Sequence, residues 1–245
     1  MKFENTDIWG FKHAIRGMRN PLESWSKSDS GICKGGDDGI GCGNCSIENC
    51  EHEYDYSYQI GKNDLSLMQR LIFAGSDERK FMRQIFVSVD ITAPLYWWKE
   101  MDTYKVGTVA NSTSTMHKLA TTPITLECFE MDDYMPEIKL SNGFKDNEFI
   151  GYKDVSNGWN IMINILETLR NTYLTTKDKK YWKELIRLLP ESWLQTRTVT
   201  MNYENLRNMY FARRYHKLSE WHTFCDWLET LPYAKELIML EKKGE

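Results

Sequence analysis

The chain has 245 residues, of which 41% are hydrophobic, and a formal net charge of −4 at pH 7. This composition supports a sizeable core and excludes a disordered chain, and the charge balance excludes a general nucleic-acid binder, which needs a basic surface. No stretch approaches the roughly 20 apolar residues of a membrane span. The opening MKFENTDIWGFKHAIRG lacks the apolar core of a signal peptide, so a cytoplasmic setting with no membrane partner is expected.

In chain order, residues 1–30 carry a short basic amphipathic stretch, HAIRGMRNPLESW, ended by Pro21. Residues 31–60 read as an inserted loop rich in Gly, Asp and Cys. Asn63 or Asp64 is placed to cap a helix through DLSLMQRLIFAG, stopped by Gly75. Ile85, Val87, Val89 and Ile91 alternate with Ser88 and Asp90, the period of a half-buried strand that Pro94 ends. LYWWKEMDTYKVG has a helical period, and residues 120–156 read as an irregular loop or lid. Ile161, Ile165, Leu166, Leu169 and Tyr173 form one helical stripe, and a second helix covers Lys180 to Leu189. Thr196 to Met201 is β-branched and reads as a strand. A long helix is expected from Tyr203 to Leu218, and SEWHTFCDWLETLP continues as another. The expected architecture is a single α+β domain over residues 1–245 with the insertion at about 31–60.

Cys33, Cys42, Cys45 and Cys50 cluster beside His52. The Cys42-x-x-Cys45 spacing suits zinc, but the other gaps are irregular. Free thiols in a loop are the expectation, with a metal or a disulfide as alternatives, and no bound metal is expected. Cys128 and Cys225 read as packing residues. Trp97 and Trp98 read as core or subunit interface.

The segment from Val87 to Leu119, VSVDITAPLYWWKEMDTYKVGTVANSTSTMHKL, resembles the signature region of the flavin-dependent thymidylate synthases, the ThyX family. Thr103-Tyr104-Lys105 stands where that family carries Arg-His-Arg, Thr108 at its first Ser, Asn111 at its Asn, Ser112 at its Glu, Ser114 at its second Ser and Met116 at its final Arg. Glu100 holds a position that the family fills with Gln or Glu. LPESWLQTRTVTMNYENLRNMYFARRYHKLSEWHTF resembles a second family segment, with Asn202 and Asn208 on its Asn positions and Arg213 on a nucleotide-contacting Arg.

The resemblance implies an α+β ThyX-like domain, a homotetramer with nucleotide sites at subunit interfaces, and flavin- and folate-dependent methylation of a pyrimidine nucleotide. It implies nucleotide-binding roles for Glu100, Lys105, Asn111, Ser112, Ser114, Asn208 and Arg213. FAD is the implied cofactor. The lost Arg pair removes forked, charge-assisted bonds to a pyrophosphate, each worth about 1.5–3 kcal/mol. The alternative is a protein that binds without catalysis and sequesters a nucleotide or cyclic nucleotide signal, as phage proteins do against host defence.

Overall fold

The computed structural model describes residues 1–32, 58–139 and 154–241. The cysteine cluster of residues 33–50, His52 and much of the expected lid lie outside those residues. In chain order the elements are β1 (Lys2–Trp9), α1 (Phe11–Arg19), β2 (Gly31–Ile32), β3 (Tyr58–Gln59) and α2 (Lys62–Ala74). Then come β4 (Phe86–Pro94), α3 (Leu95–Met101), β5 (Val109–Ser112), α4 (Thr115–Lys118), α5 (Val155–Thr176), α6 (Lys179–Arg187), β6 (Leu194–Asn202), α7 (Tyr203–Arg213) and α8 (Ser219–Glu229). Helices and strands intermix along the chain, as an α+β class requires.

Four strands form one sheet in the order β1-β4-β6-β5, and β2 pairs with β3. Side chains of the two central strands meet as Ser88–Thr200, Asp90–Thr198 and Thr92–Thr196. Each step of two along β4 is a step of two back along β6, so the strands are antiparallel. On the other face of β4, Val87, Val89, Ile91 and Ala93 are fully buried, which is the period-two pattern realised.

The chain divides into two compact units, each built from separated stretches. The first comprises Met1–Lys2, Ile91–Thr103 and Asn111–Arg197, the second Phe3–Asp90, Tyr104–Ala110 and Thr198–Glu245. In the first unit, α5 and α6 carry Leu166 and Leu185 into a core with Leu119, Ile124 and Phe129. The two helices join through Lys177, in the left-handed region at φ 57°, and Asp178, whose side chain caps α6 at Lys180 N–H. Arg170 of α5 is buried and donates to Glu167 at 2.5 Å and to the Ala120 carbonyl at 3.2 Å. Glu167 also accepts from Ile124 N–H at 3.0 Å. That network ties the irregular segment after α4 to α5. Trp97 and Trp98 are fully buried, and Trp98 Nε1 donates to the Gln195 carbonyl at 2.9 Å.

In the second unit, α1, α2, α7 and α8 surround buried Ile15, Met68, Ile72, Met82, Tyr203, Leu206 and Phe224. Asp64 is not a cap, as its place near the start of a helix suggests. It is fully buried and accepts from Arg19 Nε at 2.6 Å and from the Ser28 and Ser30 hydroxyls. The cap position of α2 belongs to Gly61, and the Asp29 carboxylate receives the N–H groups of Asn63 and Asp64 at 2.9 and 3.1 Å. A Cβ on Gly61 would meet Asp29 atoms at 2.2–2.4 Å, so glycine is what lets that carboxylate close in.

Two expected helices are shorter than their periodicity suggests. α3 stops at Met101, where Thr103 Oγ1 turns back to donate to the Glu100 carbonyl at 2.7 Å. α7 stops at Arg213 rather than Leu218. His216 N–H bonds the Arg213 carbonyl, and His216 Nδ1 accepts from Leu218 N–H, so a local side-chain bond replaces the helical one.

Candidate functional site

The residues that the sequence singles out fall into both units. Glu100, Asn111, Ser112 and Ser114 lie in the first, and Lys105, Asn208 and Arg213 in the second.

In the first unit, Asn111 and Ser112 sit on β5, an edge strand exposed along its whole length, rather than in a turn. Ser114 follows as the N-cap of α4, its hydroxyl accepting from His117 N–H at 3.2 Å. Gln195 fixes this bend: its amide donates to the Thr113 carbonyl at 3.0 Å and to Thr115 Oγ1 at 3.2 Å. The run of hydroxyls Thr113-Ser114-Thr115 thereby opens, with Thr92, onto a cavity of about 710 Å³. Lys2 and Lys118 bring positive charge to its wall, Glu127, Glu130 and Asp132 negative charge, and Phe129 and Trp193 apolar surface. Such a wall holds neutral polar edges and rings better than it holds a phosphate. Glu100 is half-buried on α3. Nothing about the sequence of β6 marks Gln195 as the anchor, because its role depends on a contact 82 residues away.

In the second unit, α7 presents Arg213 half-buried. Its Nε donates to the Tyr104 hydroxyl at 2.8 Å. Its guanidinium lies 4.7 Å from the centre of the Trp221 ring and 5.5 Å from that of Tyr104. These are cation–π distances, and the two rings meet edge to face at 6.1 Å. Trp221 is fully buried, so the cage is anchored in the core.

The segment that carries Tyr104 is pinned in turn. Thr108 Oγ1 donates to the Tyr104 carbonyl, and Asn205 Nδ2 donates to the Val106 carbonyl at 2.6 Å. Gly107 has φ 76°, and a Cβ there would press on Asn202 and Asn205 at 2.9 Å. Asn202 and Asn205 form a reciprocal capping box at the start of α7, so Asn202 is structural. Lys105 and Asn208 are exposed. Asn208 stands five residues before Arg213 and so faces another side of α7.

The triplet at the family's Arg-His-Arg position therefore has other duties. Thr103 closes α3, Tyr104 braces Arg213, and only Lys105 offers a charge. Tyr104 is the residue that sequence reasoning passed over as a loss. Its aromatic ring, with Trp221, was the available signal.

No family model matches the sequence, and no curated protein matches it significantly. Solved structures do match in three dimensions. A ThyX flavin-dependent thymidylate synthase from Helicobacter pylori, complexed with FAD and dUMP, superposes with TM-score 0.58 at 16% identity, covering 97% of this chain and 98% of that one. A second structure of ThyX from the same organism with FAD and dUMP gives 0.58 at 18% identity, covering 97% of each chain. The UMP/dUMP methylase PolB from Streptomyces cacaoi, bound with 5-Br dUMP, gives 0.53 at 14% identity, covering 97% of this chain and 94% of that one. The chain thus has the α+β fold of the flavin-dependent thymidylate synthases, over nearly its whole length and at low identity.

Proposed function

We propose that this protein binds a pyrimidine nucleotide, with Arg213 as the residue that grips its phosphate. The observation that carries the reading is the bracing of Arg213 by Tyr104 and Trp221, which fixes a forked cation before any ligand arrives. Within its own unit, the hydroxyl run Thr113-Ser114-Thr115 offers neutral donors and acceptors of the kind a base or sugar edge takes, and Asn111, Ser112, Ser114, Lys105, Asn208 and Glu100 are contacts that the resemblance implies. Structures of the same fold hold dUMP or 5-Br dUMP, which supports the uracil-nucleotide class. In this reading the chain is one ThyX-like domain over residues 1–245, with an insertion near 31–60, acting as a homotetramer.

Binding without flavin chemistry is the form that the residues favour. FAD needs its pyrophosphate held by cations, and Thr103 and Tyr104 spend their hydroxyls on Glu100 and Arg213. Lys105 alone is a point charge. The residues present do not fit the dinucleotide in the family's manner, and sequestration of a nucleotide or cyclic nucleotide signal accounts for a kept pocket with a lost cofactor grip.

Calorimetric titration with dUMP, UMP and a panel of di- and cyclic nucleotides tests the reading. Arg213→Ala is expected to weaken the best ligand by about 1.5–3 kcal/mol, the range of a charge-assisted bond. Arg213→Lys should recover little, because it lacks the fork. Unchanged affinity in both variants would sink the site. A purified protein that shows flavin absorbance bands at stoichiometric level would overturn the flavin-free form and return the methylase reading.

A further inference from the structure

A second cavity lies wholly within the second unit and uses none of the candidate-site residues. It has a volume of about 340 Å³ and is lined by Ile72 and Phe73 of α2, Arg79, Arg207 and Phe211 of α7, and Glu241. Arg207 is only 9% exposed. Its Nη1 donates to the Leu237 and Ile238 carbonyls at 3.3 and 2.8 Å, and its guanidinium lies 4.6 Å from the centre of the Phe211 ring.

The surrounding charges do not cancel. Arg79 gives its Nε to both oxygens of Glu204 at 3.0 Å. Arg214 takes Glu241 at 2.5 Å. Each carboxylate thus has its own partner, and among the described residues none is within ion-pair distance of Arg207. The cavity wall itself carries two guanidiniums, Arg79 and Arg207, and one carboxylate, Glu241, which Arg214 holds. Burial first, and then the charge of Arg79, pull the Arg207 guanidinium below its ordinary pKa, outweighing the opposite pull of Glu204 and Glu241.

We propose that this cavity is a second ligand site, which takes the oxyanion of a phosphate group between Arg79 and Arg207. Arg207 keeps Nε and Nη2, and Arg79 keeps both Nη groups, with no acceptor among the described residues. Two guanidiniums lining one cavity suit a phosphate, and a bound anion offsets the surplus positive charge of that wall. Ile72, Phe73 and Phe211 form an apolar wall for the organic part of a small phosphate monoester.

The probe is inorganic phosphate, compared with chloride at equal ionic strength. In the wild-type protein, phosphate should raise the thermal midpoint and slow phenylglyoxal modification of Arg207 and Arg79 severalfold, as mapped by mass spectrometry. Exposed Arg187 serves as the unprotected control. Arg207→Met should weaken the protection of Arg79 by phosphate about tenfold or more, the loss of one charge-assisted bond, while Arg187→Ala should leave it intact. If Arg207→Met does not fold, protection of Arg207 in the wild type decides alone. Equal modification of Arg207 with and without phosphate overturns the proposal. Protection of Arg79 that persists undiminished in Arg207→Met places the phosphate elsewhere and overturns it as well.

Discussion

The carboxylate of Asp64 shows how much one side chain can organise. Beyond Arg19 and two hydroxyls, it receives the backbone N–H groups of Asp29 and Ser30 at 3.1 and 3.2 Å, so it fastens the turn after α1 to α2. Burial alone would raise its pKa, but hydrogen bonds from Ser30, Ser28 and Arg19 outweigh it and hold the value below the ordinary 3.8. A depressed folded-state pKa means that the stabilisation is complete above the unfolded value and is lost as pH falls through the folded one. Acid unfolding of the wild type should therefore include a component, setting in as pH falls below the ordinary carboxylate value of 3.8, that Asp64→Asn lacks. At neutral pH the same variant leaves Arg19 buried without its countercharge and should lose about 3–5 kcal/mol in urea unfolding. A loss below 1 kcal/mol, on the order of an exposed pair, would show that the hub is not a fixed one. Sequence alone placed Asp64 at a helix start and no more, because its partner Arg19 lies 45 residues away.

At the scale of elements, α2 illustrates capping supplied by another segment. Asp29→Ala removes the acceptor for two N–H groups at its start and should lower stability by about 0.5–2 kcal/mol, the usual range for a lost cap. Gly61→Ala should do at least as much, since the new methyl meets the Asp29 backbone oxygen at 2.4 Å as well as its carboxylate. Thermal unfolding of both variants checks this, and a Gly61→Ala protein as stable as wild type would contradict the close approach. The central strands β4 and β6 were legible because burial on one face imposes a period of two. β1 and β5 are the edges of the sheet. β5 is exposed throughout and β1 almost so, which leaves no hydrophobic period to read. That is why neither was expected as a strand, and why Asn111 and Ser112 read only as positions in the resemblance. Arg213 was legible through the resemblance, and its brace was not, since Tyr104 and Trp221 meet it only in three dimensions.

For the whole molecule, the exposed edge strand and its neighbourhood bear on assembly. Val106 and Val109 are 87% and 65% exposed. Apolar side chains so open on and just before a strand with one edge unpaired among the described residues suit a partner surface. Light scattering should give about four times the 28.9 kDa chain mass, and Val109→Lys should shift it downward; a single-chain mass for the wild type would remove the assembly. The β2–β3 pair has a consequence of another kind. Ile32 faces Tyr58 across an antiparallel pair, so residues 33–57 depart from and return to neighbouring points. An Asn-Gly turn joining Ile32 directly to Tyr58 should therefore leave the thermal midpoint unchanged or raise it, since closing a shorter loop saves entropy on the order of 1–2 kcal/mol. The same position becomes a port: a fluorophore-bearing peptide or a purification tag can be spliced in there, giving an internal handle with both chain ends left as they are. A graft that abolished soluble expression would mean that residues 33–57 take part in folding themselves.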